Sequence, residues 1–411
     1  MKELRAEQMH AAGLAGLSGM TPVRLAKLLD GFDPVRAWDA VRAGTHPADP
    51  QRRFLPLAQN SDLSAVEARH RRDGVKVLLP GMIEYPSMLV GDPGAPSVLF
   101  ALGDPTVLEH MPRVAIVGTR SATHYGRQVA SQMARDLAAE GVVVVSGLAR
   151  GIDGAAHAGA VRAGCQDAAP PVAVVGTGLD VVYPASNREL WTLVADRGAV
   201  LSESALGTKP HPGVFPARNR IIAALSDVVV VVESHYLGGS MYTAEAAARR
   251  SIPVCAVPGS VKSRASDGTN ALLVDGCTPV RDATDVLVAV SLARAGIERP
   301  HLGVRSHRSG QDLRHATGRG HDRFSAGVPD VSSTIGTSPT GGLAGSLSDH
   351  PMSASQRAVF DAVDDTPTFL ETILIRTDLS IAAAAAACDH LVGRGVLICG
   401  AGWWSRNRSR S

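Results

Sequence analysis

The sequence has little that would anchor it in a membrane, staple it with disulfides or mark it as a metal protein. In its 411 residues no apolar run approaches the roughly 20 that span a bilayer, and the alanine stretch from Ala382 to Ala387 is far too short. The amino end, Met1-Lys-Glu-Leu-Arg5, mixes charges and has no apolar signal core, so the expected location is the cytoplasm. Its five cysteines, Cys165, Cys255, Cys277, Cys388 and Cys399, include no Cys-x-x-Cys pair. That argues against a zinc cluster and a disulfide framework; no metal is expected, and the thiols read as buried and reduced. A strong charge of one sign is also missing. With a net charge of only +2, any nucleic-acid binding must come from a local basic patch. What is present is 45% hydrophobic content and enough length for two or three domains.

The centre of the chain is rhythmic. Short apolar runs at 113–118, 142–146, 171–176, 199–202, 227–233 and 253–257 alternate with helical patterns at 125–140, 154–163, 187–197, 217–225 and 241–250. Strands spaced in this way, each ending in a Gly-rich turn, predict βαβ crossovers and an extended Rossmann-like parallel α/β sheet with helices on both faces. The turns of such a sheet line a crevice at the carboxyl ends of its strands.

Around this centre four segments separate. Residues 1–72 read as a helical domain. Leu14, Leu17, Val23, Leu25, Leu28 and Leu29 lie at helical spacing, Trp38 is a core candidate, and the break Leu17-Ser-Gly-Met-Thr-Pro-Val-Arg24 resembles a helix-hairpin-helix turn. Residues 73–295 form the Rossmann-like domain, entered through Val75-Lys-Val-Leu-Leu79 and Pro96 to Asp104 as antiparallel edge strands. Residues 296–350 are rich in Gly, Ser, His, Arg, Pro and Thr and read as a disordered linker. Residues 351–411 show three short helical patterns and a terminal hairpin, a winged-helix-like domain. Its recognition-helix position is nearly all alanine, with Asp389, His390 and Arg394 towards its end. Base reading needs Arg, Lys, Asn or Gln, so a protein-interaction role is favoured.

The chemistry concentrates in the turns. Gly118-Thr119-Arg120 allows close backbone approach and offers amides, a hydroxyl and a guanidinium to a phosphate. It continues Ser-Ala-Thr123 and so lacks the Gly-x-Gly-x-x-Gly dinucleotide fingerprint; no nucleotide cofactor is expected. The second turn adds Arg150 and places Asp153 and His157 on one helical face, expected to be a hydrogen-bonded structural pair rather than an acid–base couple. The third, Gly176-Thr-Gly-Leu-Asp-Val-Val-Tyr-Pro-Ala-Ser-Asn-Arg188, brings Tyr183 for stacking, or else for packing against the sheet end, together with Asn187 and Arg188. In Phe215-Pro-Ala-Arg-Asn-Arg-Ile-Ile222, Arg218 and Arg220 flank Asn219 at a helix mouth, where anion binding is the better reading. Gly239 and Ser240 open a further helix at the same edge.

These motifs, in this order, resemble the DNA-processing protein A family (DprA, also called Smf). The carriers are Gly118-Thr-Arg, Ser146-Gly-Leu-Ala-Arg-Gly-Ile-Asp-x-x-Ala-His157, Gly176-Thr-Gly-Leu-Asp-x-x-Tyr-Pro-x-x-Asn187, Ser202-Glu, Phe215-Pro-x-Arg-Asn-Arg-Ile-Ile-Ala-x-Leu-Ser226, Val231-Val-Glu, Gly239-Ser-x-x-Thr-Ala244 and Ala256-Val-Pro-Gly259. The resemblance implies a non-enzymatic single-stranded DNA-binding protein that protects incoming strands in natural transformation and loads the recombinase RecA on them, commonly as a homodimer. By motif, the strand-binding residues would be Gly118, Thr119, Arg120, Arg150, Asn187, Arg188, Arg218, Asn219, Arg220, Gly239 and Ser240. One departure is that His235-Tyr-Leu-Gly-Gly239 lacks the family's basic residue, which leaves that wall weaker or served by stacking from Tyr236. The rival reading is a LOG-type nucleotide phosphoribohydrolase, to whose Pro-Gly-Gly-x-Gly-Thr-x-x-Glu motif Leu237-Gly-Gly-Ser-Met-Tyr-Thr-Ala-Glu245 is similar with imperfect spacing.

Overall fold

The computed structural model describes residues 4–110, 112–164, 167–295, 352–364, 368–377, 379, 381–400 and 403–406. The chain divides into two compact units, Met1–Val304 and Arg305–Ser411. The segment expected as a linker, 296–350, lies outside the described residues.

Five helices open the first unit: α1 (Ala6–Ala15), α2 (Pro22–Leu29), α3 (Pro34–Ala43), α4 (Leu55–Gln59) and α5 (Leu63–Asp73). Thr21 and Asp33 cap α2 and α3 by accepting the amides of Arg24 and Arg36, each with Pro at the first helical position, where no amide is needed. Trp38 is buried with Leu14, Leu25 and Leu28, as its spacing implied. The sequence did not announce α5, because its buried face holds a histidine. Leu63, Val66 and His70 share that face, and His70 tilts against the Phe100 ring at 5.6 Å. Burial lowers the His70 pKa, so a neutral imidazole serves as core.

The sheet consists of β1 (Lys76–Leu78), β2 (Leu99–Gly103), β3 (Arg113–Val117), β4 (Val143–Ser146), β5 (Val172–Val175), β6 (Ala199–Ser202), β7 (Val228–Val231), β8 (Val254–Ala256) and β9 (Thr278–Pro279). Its order is β1-β2-β6-β5-β4-β3-β7-β8-β9. β3 to β9 pair in parallel, whereas β2 is antiparallel to both β1 and β6, so the lead-in does extend the sheet. The intervening helices are α6 (Val107–His110), α7 (His124–Ala139), α8 (Ile152–Val161), α9 (Arg188–Arg197), α10 (Val214–Ala224), α11 (Gly239–Ala248), α12 (Asp267–Val274) and α13 (Ala283–Arg294).

Strand alternation sorts the apolar residues onto two faces. Val114, Ile116, Val144, Val228 and Val230 meet α7, α8 and α13 through Met133, Leu137, Ala156 and Val286. Further along, Ala173, Val175 and Val200 meet Trp191 and Val194 of α9 and share one core with α1 to α5. On the opposite face, Val117, Val145, Val174, Leu201 and Val231 meet Ile221, Ile222, Ala244 and Ala247 of α10 and α11. Because the chain leaves β3 outward to β6 and then returns to β7 on the other side of β3, the turns after β3 and β7 part at a topological switch point.

Among its described residues the second unit has three helices, α14 (Ala354–Ala362), α15 (Leu370–Arg376) and α16 (Ile381–Gly393), and a sheet of β10 (Thr368–Phe369), β11 (Leu397–Gly400) and β12 (Trp403–Arg406) in the order β10-β12-β11. This is the winged-helix arrangement. Ala384, Ala387, Cys388 and Leu391 of the alanine-rich helix pack into this unit's own core with Val359 and Ile373.

Candidate nucleic-acid interface

Close approach between backbones knits the turns after β3, β4 and β7. The Thr119 amide donates to the Glu233 carbonyl at 2.7 Å, and the Ile152 amide approaches the Thr119 carbonyl at 3.3 Å. Glycine is required at this junction. A Cβ on Gly118 would lie 2.5 Å from Ile152 Cγ1, and one on Gly151, whose φ is +79°, would lie 2.2 Å from the Thr119 oxygen. Asn187 belongs to the same scaffold: its Nδ2 donates to the Leu148 carbonyl at 2.9 Å, tying the third turn to the second.

Beneath the turns sits a buried charge pair. Arg218 and Asp153 are each only 6% exposed. Arg218 donates through Nη1 to the Val174 carbonyl, and the same nitrogen lies where a Gly147 Cβ would be, which explains glycine there. Burial lowers the Arg218 pKa to about 10 against the support of Asp153, with Arg120 lowering it further. Burial raises the Asp153 pKa, while Arg218 and the amides of Gly118 and Gly147 pull it back. His157, fully buried, has no hydrogen-bond partner at either ring nitrogen, and burial pushes it down to about 4, opposed in part by the Ser146 backbone. The expected hydrogen bond between Asp153 and His157 is not formed, since neither ring nitrogen of His157 has a partner. Asp153 faces Arg218 and the turn amides instead.

Above these two side chains opens a small cleft lined by Arg120, Arg150, Thr177, Tyr183, Phe215 and Arg218 among others. The Arg120 guanidinium lies over the Phe215 ring at 4.4 Å, and the Tyr183 and Phe215 rings are 5.4 Å apart with 34° between their planes. Arg120, Arg150 and Arg188 are exposed, as are Lys209 and His211 on the loop between β6 and α10. A cationic rim around a paired aromatic floor can hold a phosphate chain and stack a base. Phe215, Lys209 and His211 were missing from the sequence-derived set. The signal for Phe215 was its place at the head of the Phe-Pro-x-Arg-Asn-Arg motif.

Other expected residues turn elsewhere. Arg220 is two positions from Arg218, so the helix points it away. Its Nη2 pairs with Glu203 Oε1 at 2.6 Å and its Nη1 donates to the Ala217 carbonyl at 2.7 Å. The expectation that Arg218 and Arg220 share one crevice is corrected accordingly. Asn219 Nδ2 donates to the Gly239 carbonyl at 2.9 Å, and Ser240 Oγ donates to Ser234 Oγ at 2.8 Å, so both brace the start of α11. Gly239 is exposed, with open space beside its Cα. Thr119 Oγ1 accepts the Ser121 amide at 3.2 Å. Tyr236 is 66% exposed.

The amino end of α7 is closed to a phosphate. Glu233 Oε2 accepts the Thr123 amide at 2.9 Å, its Oε1 accepts the Thr123 hydroxyl, and a Cβ on Gly126 would meet Oε2 at 2.2 Å. A carboxylate thus occupies the place where a dinucleotide's pyrophosphate would sit. Among the described residues no three His, Cys, Asp or Glu side chains converge as a metal site. Cys255 and Cys388 are buried and Cys277 half-buried, none of the three in a disulfide; Cys165 lies outside the described residues.

The family model for DNA recombination-mediator protein A matches residues 76–291, more than half of the chain. The chain belongs to this family. DNA processing protein DprA of Bacillus subtilis is 37% identical over 224 residues, 54% of this chain and 74% of that protein. Protein Smf of Synechocystis is 32% identical over 296 residues, 69% of this chain and 73% of the relative. In three dimensions the chain is similar to the X-ray structure of DprA from Streptococcus pneumoniae, with a TM-score of 0.59, 31% identity, and coverage of 70% of this chain and 98% of that one. The family match starts at β1 and ends within α13, so it contains every turn of the cleft.

Proposed function

We propose that the cleft binds single-stranded DNA without cutting or modifying it, and that the chain protects incoming strands and presents them to RecA during natural transformation, as a cytoplasmic homodimer. The observation that carries the binding reading is the pair of exposed guanidiniums in the cleft lining, Arg120 and Arg150, with Arg120 lying over the Phe215 ring beside Tyr183. Guanidiniums at the rim neutralise backbone phosphates, and an unpaired base reaches the aromatic floor, which the stacked bases of a duplex do not. Membership in a recombination-mediator family supports the RecA role.

The phosphoribohydrolase reading finds no support at Glu245. Its Oε1 is paired with Arg249 at 2.5 Å on an exposed face of α11. The test is a comparison of labelled single- and double-stranded DNA across a salt series, with and without RecA. Single strands bind preferentially, and log affinity falls by about 0.7 per phosphate contact per log unit of salt. Equal affinity for duplex, or binding to single strands untouched by salt, rejects the proposal.

A further inference from the structure

The loop from β6 to α10 carries Lys209 and His211 and delivers Phe215 to the cleft, and an ion pair from the helical region reaches it. Arg69 of α5 donates through Nη2 to Asp180 Oδ2 at 2.5 Å, while the other carboxylate oxygen accepts the Gly207 amide at 2.7 Å. Arg69 is 43% exposed and Asp180 only 18%. The next residue, His70, packs on Phe100 of β2, and Leu63 and Val66 of the same helix join that core, so Arg69 projects from a fixed support.

The loop is pressed tightly against the third turn at this point. The Gly178 amide donates to the Thr208 carbonyl at 3.0 Å, and a Cβ on Gly178 would lie 2.5 Å from the Ala205 oxygen and 2.8 Å from Asp180 Oδ1. Gly207 has φ of +87°, and its amide donates to Asp180, so the carboxylate joins the Gly178–Thr208 bond in tying the loop to the third turn. Beyond Thr208 the loop runs exposed through Lys209 and His211 to α10. Its anchored end therefore sets the direction in which the remainder leaves.

We infer that Arg69 is a positioning residue for strand binding: through Asp180 and the Gly207 amide, the amino-terminal helices fix the loop that leads into α10 and so the placing of Phe215 in the cleft. This rests on the reading that the cleft binds single-stranded DNA. Arg69 itself does not touch the strand. Its charge is spent on Asp180, and its effect is on the geometry of the wall.

The test uses the full chain with a labelled oligothymidylate, across a salt series. Arg69→Ala weakens binding about threefold to fivefold, the upper range for a half-exposed ion pair, with the salt slope unchanged. Arg69→Lys recovers most of that affinity. Asp180→Asn, which keeps an acceptor for Gly207 but loses the ion pair, reproduces the Arg69→Ala loss. In a Phe215→Ala background the Arg69→Ala effect shrinks, because the ring it aligns is gone.

Wild-type affinity in Arg69→Ala overturns the inference. So does a salt slope reduced by about 0.7, which would make Arg69 a phosphate contact, or an effect fully additive with Phe215→Ala. Amide exchange without DNA separates this inference from the binding proposal. Faster exchange at Gly207 and Thr208 in Arg69→Ala supports the positioning role even if wild-type protein fails to bind single strands, and unchanged exchange rejects it.

Discussion

Replacing Arg218 by Met tests whether this arginine is a support under the cleft. The side chain is 6% exposed, donates to the Val174 carbonyl and faces Asp153, which is equally buried. Met fills much of the volume but leaves the Asp153 carboxylate without its counter-charge. The two charges make no direct ion pair, so the loss is smaller than for a broken contact pair, on the order of 1 to 3 kcal/mol. The pH dependence is the more specific part. Asp153 already has a raised pKa in the folded chain, and loss of Arg218 raises it further. A carboxyl with a folded pKa above its unfolded value binds more protons folded, so stability falls as pH rises from the unfolded toward the folded pKa. Because the wild type shares the raised pKa, the variant's penalty is smaller in acid and grows by up to about 1.4 kcal/mol per pH unit only between the wild-type folded pKa of Asp153 and its higher folded pKa in the variant. Urea unfolding from pH 5 to pH 8 measures it, and Asp153→Asn added to Arg218→Met removes most of the growth. A penalty below about 1 kcal/mol, or one flat with pH, refutes the buried-pair account.

Three further outcomes are expected. Phe215→Ala weakens single-strand binding by about 1 to 3 kcal/mol, with the salt slope intact because no phosphate contact is lost; equilibrium anisotropy in a salt series reads both. His157→Met flattens the acid side of the stability profile. With a folded pKa of about 4 against 6.5 unfolded, His157 favours the folded state above pH 6.5, and that share, about 3 kcal/mol, is lost as pH falls toward 4. Subtracting the variant from the wild type isolates it from Asp153, whose protonation acts in the opposite direction. Glu245→Gln leaves DNA binding unchanged, and neither wild type nor variant releases free base from nucleoside monophosphates, as chromatography would show.

The sequence by itself determined the α/β architecture, since all-apolar runs at regular spacing can only be strands buried on both faces. It also located the turns that meet at the cleft, because glycine is required where Gly118 and Gly151 pass within contact of neighbouring backbone. It did not reveal α5, whose core histidine interrupts the apolar period, nor which of two arginines in one motif stays in the cleft. Arg218 and Arg220 differ by two helical positions, and only the packed structure gives one to Asp153 and the other to Glu203. Likewise, Glu233 and Asp180 are ordinary carboxylates in the sequence. Tertiary structure decided that one closes the end of α7 and that the other links the amino-terminal helices to the cleft wall. Local pattern fixes where the chain is straight, turned or buried, whereas pairing among charges depends on which segments meet in space, 17 residues apart for Arg220 and Glu203 and 111 for Arg69 and Asp180.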